Sequence, residues 1–527
     1  MAEQLALLPG RLAAHLELSL AALALAALAS VPIGVRLARR GRAAGAVLAA
    51  ASVVQTIPGL ALLAIMVPVL AGLGALLRGP FGVELRGIGV APALVALTLY
   101  GMLPILRNTV TGLAGVDPAV REAARGVGMT PRQELLQVEL PLALPVIVAG
   151  LRTAAVWIVG TATLSTPVGA TSLGNFIFSG LQTRNSAAVL VGCAAAAALA
   201  LALDQLIRLL EVGVRRRSRA TTAAACAALL LLALVAALGR AGPAAGARPV
   251  TIGAKTFTEQ YVLAEILAER IRRATGLPVR VLESLGSTVA FDALRSGDLD
   301  LYVDYSGTLW ATILKGGDPP RERGRVLEAV AAHLREAHGI EVAASLGFEN
   351  AYALGMRADR ARELGVARIA DLARVAPRLE IGGDYEFFQR PEWAALRRSY
   401  GLAFRAERSM DPALLYEAAA AGEVDVISAF STDGRLEAHG IRLLDDERGV
   451  IPPYDAIVLV GPRLRAEAPE AVAAVAALDG TIDAAAMRRM NLAVDRDKRS
   501  PVEVARQFVD ALAAGAEPGG SLPPARR

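Results

Sequence analysis

Six apolar runs, each close to the length that crosses a bilayer, crowd into the first 239 residues, and the rest of the chain has none. A hydrocarbon core about 30 Å thick takes about 20 residues of helix. The runs lie near Leu12–Leu37, Val47–Leu70, Ile88–Leu106, Leu142–Thr163, Ala187–Leu210 and Thr222–Leu238. In lipid every backbone N–H and C=O must be satisfied by the protein itself, so these runs have to be helices. Pro32, Pro58, Pro68, Pro92, Pro104, Pro145 and Pro167 fall within or beside them. The backbone groups that prolines free need packed neighbours, which predicts a helix bundle around a path and argues against a bare anchor. The first run is too long for a cleaved leader, and five more follow it. The sixth follows RRRSR (215–219) and precedes the Ala/Gly/Pro-rich stretch from Ala241 to Pro249. It reads equally as a signal-anchor with a flexible tether or as one more helix of the bundle.

Arginines sort the loops. They gather after the first run (Arg36, Arg39, Arg40, Arg42), between the third and fourth, and after the fifth (Arg215, Arg216, Arg217, Arg219). The alternate loops hold few, chiefly Arg78, Arg86 and Arg184. The positive-inside bias then puts the N-terminus outside, the loop between the third and fourth runs in the cytoplasm, and everything after Leu238 outside. Clustered beside apolar runs, the +5 net charge reflects membrane topology and not a nucleic-acid surface. Cys193 and Cys226 lie in apolar segments without metal-ligand spacing, so neither a disulfide framework nor a zinc site is expected.

From Pro249 onward, short β-like runs alternate with helical stretches: VTIGA, a helix from Glu259 to Thr275, VRVLE, a helix from Val289 to Ser296, and DLYVDY. Runs at Leu379–Gly382, Val424–Ser428 and Ala456–Val460 continue the order, with helices at Arg390–Tyr400 and Pro412–Ala421. This is α/β order, and about 280 residues of it divide naturally into two lobes with a ligand cleft at the carboxyl ends of strands. Lys255 in GAKT is not a phosphate-loop lysine, because Ala254 stands where that motif needs glycine. Asp304 and Asp433 read as a strand-end acid and a turn or helix cap. With four histidines and no nucleophile motif, neither an active site, a metal centre nor a cofactor is expected.

The stretch from Asp117 to Pro141, DPAVREAARGVGMTPRQELLQVELP, cannot lie in hydrocarbon, because Arg121, Glu122, Arg125, Arg132, Glu134 and Glu139 would each cost kilocalories there. Glu122, Ala123 and Ala124, then Gly128, then Val138, Leu140 and Pro141 resemble the EAA loop of ABC importer permeases. The resemblance implies a short cytoplasmic coupling helix that docks on a separate ATPase subunit. Ala123 and Ala124 would allow close packing, Gly128 a sharp turn, and Pro141 the start of the next span.

IGAKTFTEQ (252–260), LGSTVAFDALRSGDLDLYVDYSGT (285–308), ENAYALGM (349–356) and AFSTDG (429–434) resemble the extracellular binding proteins of osmoprotectant ABC importers. Those capture glycine betaine, choline, carnitine or proline betaine. Together the two resemblances cover most of the chain. They imply an all-α transmembrane bundle of the type I importer permease (1–219), a sixth span and linker (220–248), and a two-lobed type II periplasmic-binding-protein domain of α/β class (249–527). By position, an aromatic cage falls on Tyr305, Tyr352, Phe430 and Tyr454, while Lys255, Thr308 and Arg390 fall where the family holds the ligand's polar end. Phe430 stands where the family commonly has tyrosine. A quaternary ammonium has no N–H to donate, so ring faces must grip it, at about 0.5 to 2 kcal/mol each. A betaine carboxylate needs fixed cationic donors.

The resemblance thus implies a multi-pass protein of the plasma or inner membrane, a permease homodimer in contact with lipid, and a small quaternary-ammonium zwitterion as ligand. No Walker A loop occurs in the chain, so hydrolysis belongs to a separate ATPase chain. Another betaine, such as ergothioneine, fits the same cage, and the motifs leave that choice open. A membrane-tethered ligand sensor is the rival from another class, and no C-terminal cytoplasmic domain supports it.

Overall fold

The structure is a computed structural model that describes residues 2–39, 41–81, 87–183, 185–239, 248–316 and 323–515. Arg40, Arg86, Arg184 and residues 241–247 of the expected tether lie outside the described residues. The chain divides into two compact units, a helical one within the first 246 residues and an α/β one over most of the remainder.

The helical unit comprises α1 (Ala2–Ala38), α2 (Gly41–Thr56), α3 (Gly59–Phe81), α4 (Val90–Ala114), the short α5 (Pro118–Gly126), α6 (Pro131–Gln133), α7 (Leu140–Ala162), α8 (Gly174–Gln182), α9 (Ser186–Arg215) and α10 (Arg219–Gly239). Five helical runs are each long and apolar enough to cross a membrane, and the bent pair α2–α3 makes a sixth. That pair corrects the expectation of one continuous helix from Val47 to Leu70: the two halves meet at 101°. Pro58 cannot donate to the helix ladder, so the chain breaks there. α4 repairs the break, with the Gln55 amide donating to the Tyr100 carbonyl (3.0 Å) and the Tyr100 hydroxyl donating to the Ile57 carbonyl. α4 and α7 come close because their contact is lined by glycine. A Cβ on Gly101 would lie 2.7 Å from Ile158, and one on Gly150 would lie 2.6 Å from Asn108. His15 of α1 is buried and joins two other segments, its Nε2 donating to the Val159 carbonyl (3.2 Å) and its Nδ1 accepting from the Leu173 N–H (3.3 Å). α10 lies along α1 and α9, burying Ala225 and Ala236 while Leu230, Leu231, Leu234 and Val235 stay exposed.

The polar island folds as a helix–turn–helix. Asp117 caps α5 by accepting from the Ala119 N–H (2.9 Å), and Gly128 turns the chain at φ +84°, a conformation glycine adopts without strain. Thr130 and Gln133 form a capping box, and the chain then runs helically from Pro131 into α7 through a π-turn at Glu134–Glu139. Pro141 falls in the first turn of α7, as expected of a helix start, although the chain is already helical from Pro131 through the π-turn. Its missing N–H removes one α-type bond just where the π-turn ends.

The α/β unit holds two five-stranded sheets. The first has the order β2 (Val279–Leu285), β1 (Val250–Lys255), β3 (Leu301–Tyr305), β10 (Asp455–Val460), β4 (Glu341–Glu349). The second has the order β7 (Ala406–Ser409), β6 (Glu380–Gly383), β8 (Val426–Phe430), β5 (Tyr352–Arg357), β9 (Ile441–Leu443). β1 and β3 run parallel with β10 antiparallel beside them, and β6, β7 and β8 run parallel with β5 antiparallel. The chain crosses between sheets twice, from β4 to β5 and from β9 to β10, and the Asn350 N–H donates to the Tyr454 carbonyl where the crossings meet (3.0 Å).

At this junction lies Glu259, fully buried on the first turn of α11 (Thr258–Thr275). It accepts from the Tyr305 hydroxyl at the end of β3 (2.6 Å), the Asn350 amide in the first crossing (3.0 Å), the Thr432 hydroxyl just past β8 (2.5 Å) and the Asn491 amide (3.2 Å). Burial pushes its carboxyl above the ordinary 4.5, against the opposing pull of those four donors. A carboxyl raised in the folded state stabilises the fold fully below its unfolded value, and that contribution is lost as pH rises through the folded one. Glu259→Gln, which keeps one acceptor oxygen and one donor, should therefore gain thermal stability relative to the native chain as pH rises from 4.5 to 7.5. A difference between the two unfolding temperatures that stays constant across that range contradicts this.

Candidate ligand site and coupling loop

The strand ends that meet at the junction carry aromatic side chains. β5 and β8 pair antiparallel with Tyr352 opposite Phe430, which sets their rings 4.7 Å apart. Tyr454, next to the second crossing, brings its ring to 6.1 Å from Tyr352, nearly perpendicular to it. Tyr305 joins through Phe257, a residue whose place in the wall no motif had indicated. Phe257 is centred 6.1 Å from Tyr305 and 6.4 Å from Phe430, its ring within 2° of parallel to the latter. Phe387 completes the wall at 5.5 Å from Tyr352. Tyr305, Tyr352 and Tyr454 are buried, whereas Phe257 and Phe430 are half-buried.

The four expected rings thus converge, but their hydroxyls differ. The Tyr305 hydroxyl is spent on Glu259, and the Gln260 amide donates to it at 3.1 Å. The Tyr454 hydroxyl donates to Glu392 and accepts from Arg390 (3.0 Å). Burial, then the neighbouring Asp384 carboxylate, pushes the Tyr352 phenol well above its ordinary value, so all three phenols stay neutral.

The expected polar residues divide. Arg390 lies in the site, its guanidinium centred 5.0 Å over the Tyr352 ring and paired with Glu392 at 3.0 Å. Burial alone would lower its pKa, but Tyr454, Tyr352 and Glu392 outweigh that and raise it, so the charge is permanent. Glu392, which burial would raise, is held below its ordinary value by Arg390. Lys255 is also buried, 5.4 Å over the Tyr305 ring, but its ammonium is bound to Asp304. A paired ammonium of that kind has little charge left for a carboxylate. Thr308 is half-buried one turn past Tyr305, its carbonyl accepting from the Thr312 hydroxyl (2.7 Å). Asp304 is the strand-end acid expected of it, and Asp433 accepts from the Arg435 backbone N–H (2.9 Å) at the turn after β8.

In the helical unit, Glu122, Ala123 and Gly128 are exposed, Pro141 is exposed, Leu140 is half-buried and Ala124 is buried. Val120, Val127 and Leu136 expose large apolar side chains beside them. Ion pairs tie α5 to the spans: Arg125 with Glu134 (3.0 Å), and Glu139 with both Arg121 (3.1 Å) and Arg39 at the end of α1 (3.1 Å).

Comparison with known proteins accounts for both units. Residues 248–511 match the family described as the substrate binding domain of ABC-type glycine betaine transport systems, and residues 30–216 match the binding-protein-dependent transport system inner membrane component. The chain is 28% identical over 496 residues to the ergothioneine transport permease/ergothioneine binding protein EgtU of Helicobacter pylori, a match spanning 92% of this chain and 86% of that protein. Over 197 residues it is 39% identical to the choline transport system permease protein OpuBB of Bacillus subtilis, covering 37% of this chain and 83% of that one. A crystal structure of a glycine betaine/carnitine/choline ABC transporter aligns with 50% of this chain and 98% of its own, at 27% identity and a TM-score of 0.46. The chain therefore belongs to the ABC importers of the glycine betaine type, with the inner-membrane permease and the substrate-binding domain fused in one polypeptide.

Proposed function

We propose that the α/β unit captures a quaternary-ammonium zwitterion between its two sheets and that the helical unit conducts it inward. The observation that carries this reading is the convergence of Tyr352, Phe430 and Tyr454 with Tyr305 and Phe257. A trimethylammonium group spreads its charge over methyl surfaces and cannot donate a hydrogen bond, so ring faces are the natural partner. Arg390, already resting on the Tyr352 face, supplies the permanent cation that a betaine carboxylate requires. Glycine betaine, choline, carnitine and ergothioneine all carry the trimethylammonium group that this site suits.

Energy comes in this reading from a separate ATPase chain docking on α5, with two permease chains facing two ATPases. The exposed Val120, Val127 and Leu136 supply an apolar docking face, and the Arg125–Glu134 and Arg121–Glu139 pairs supply the linkage from α5 to α7. The arginine clusters support an orientation with this loop in the cytoplasm and the binding domain outside.

Titration calorimetry of the full chain against glycine betaine, choline, carnitine, ergothioneine and an ordinary amino acid tests the ligand class. Tyr352→Ala should weaken binding of a quaternary ammonium by about ten- to a hundred-fold, while Tyr352→Phe should cost little, since the ring face remains. Tyr305→Phe is expected to behave differently. It strips a donor from buried Glu259 and should destabilise the unit by about 1–3 kcal/mol. Binding only of the ordinary amino acid, or Tyr352→Phe as damaging as Tyr352→Ala, overturns the cage.

Gly128→Asp tests the docking role. A Cβ there meets nothing within 4 Å, but the φ of +84° strains any residue other than glycine, so expression level is read alongside uptake while the variant places a charge on the docking face. Uptake should vanish with ligand affinity unchanged, and normal uptake at normal expression contradicts the role. For orientation, an impermeant thiol reagent on intact cells should label a cysteine at exposed Glu467 and spare one at Gly128. The reverse pattern means the topology is inverted.

A further inference from the structure

The carboxyl edge of the second sheet holds one acidic side chain that the cage does not explain. Asp384 follows β6 directly, and its N–H donates to Ser428 Oγ of the neighbouring β8 (3.3 Å). One carboxylate oxygen is structural. Oδ1 accepts from the Glu386 and Phe387 N–H groups, both at 2.9 Å, and so shapes the turn that sets Phe387 against Tyr352. The other has no such role. Asp384 is 6% exposed, and its Oδ2 is buried without a hydrogen-bond partner among the described residues. An unmet carboxylate oxygen is among the costliest groups to bury, and native structures keep few of them.

Its position gives the oxygen a use. Gly382 of β6 lies opposite Ile427 of β8, and Phe430 at the end of β8 lies opposite Tyr352, so Asp384, Phe430 and Tyr352 share one sheet edge. On the same wall Arg390 Nε is also buried without a hydrogen-bond partner among the described residues, while Nη2 is engaged with Glu392 and Tyr454, Nη1 faces Glu386 at 3.8 Å, and Glu392 Oε2 is likewise buried without a partner. An idle acceptor, Asp384 Oδ2, and an idle donor, Arg390 Nε, therefore lie near Tyr352. A ligand that meets both must carry a group that accepts, as a carboxylate does, and a group that donates.

We infer that Asp384 is a specificity-determining ligand contact, and that the ligand is a quaternary-ammonium zwitterion bearing a hydrogen-bond donor, a hydroxyl or a ring N–H. The inference rests on the cage reading and narrows it. Glycine betaine, with three methyl groups and a carboxylate, has nothing to donate and leaves Oδ2 unmet. A hydroxylated or azole-bearing betaine satisfies it through a charge-assisted bond.

Matched ligand pairs differing only in the donor test this on the full chain in detergent: carnitine against γ-butyrobetaine, which lacks only the hydroxyl, and a ring N–H betaine against its ring-N-methyl form. In at least one pair the donor-bearing member should bind about ten-fold tighter or more. Asp384→Asn keeps the Oδ1 cap and replaces Oδ2 with a donating amide, and it should reduce that advantage at least three-fold. Quaternary ammonium binding with no difference in either pair, or an advantage that Asp384→Asn leaves unchanged, overturns the inference and leaves the cage standing. Failure of every quaternary ammonium compound to bind overturns the cage, and this inference with it.

Discussion

The geometry of the binding unit depends on one buried carboxyl. Glu259 collects donors from β3, from the first crossing, from the segment past β8 and from the helix bearing Asn491, and so holds together strand ends that belong to different sheets. All of its donors are neutral, and no cation offsets the burial. Four hydrogen bonds from hydroxyls and amides offset part of the cost of burying this carboxyl, and the bond from Tyr305 sets the angle of that ring. The cage is then assembled from strand ends whose positions the hydrogen-bond ladder and this node already fix.

The charges around the rings follow a common rule. Lys255 is paired with Asp304 and Arg390 with Glu392, and of the two only Arg390 keeps a buried nitrogen without a hydrogen-bond partner that a carboxylate could meet. What remains uncommitted near the rings, among the described residues, includes one guanidinium nitrogen of Arg390 and one carboxylate oxygen each of Asp384 and Glu392. In the helical unit the same economy applies to polar groups in and beside the spans. The break at Pro58 survives because Gln55 and Tyr100 bond across it, and α5 is held to the spans by carboxylates that each meet an arginine.

Much of this was legible in the sequence, for reasons that differ by element. The strands around Ile252, Tyr302 and Ile457 are buried on both faces and mostly apolar, and their runs gave strand positions within a residue or two. The arginine clusters and six apolar runs gave the bundle, and the spacing of Glu122, Ala124 and Gly128 gave the turn that Gly128 makes at φ +84°. What escaped were relations between distant residues. Glu259 and Thr432 are 173 positions apart, and no local pattern announces that they bond. Phe257, in the KTFTEQ stretch, gave no sign of its stack on Phe430 until the two sheets were brought together. The Pro58 break was hidden because a run of about 24 apolar residues looks the same whether straight or bent, and Asp384 because a turn-capping aspartate and a ligand contact have the same local spelling.

The central claim is that ring faces grip a positive charge and not merely an apolar bulge. The most direct measurement compares the affinity of the full chain for choline with that for 3,3-dimethylbutan-1-ol, which replaces the charged nitrogen by carbon at nearly the same shape. The account predicts that the neutral isostere binds at least about ten-fold more weakly, the cation–π share of several desolvated faces. Equal affinity for the two contradicts it.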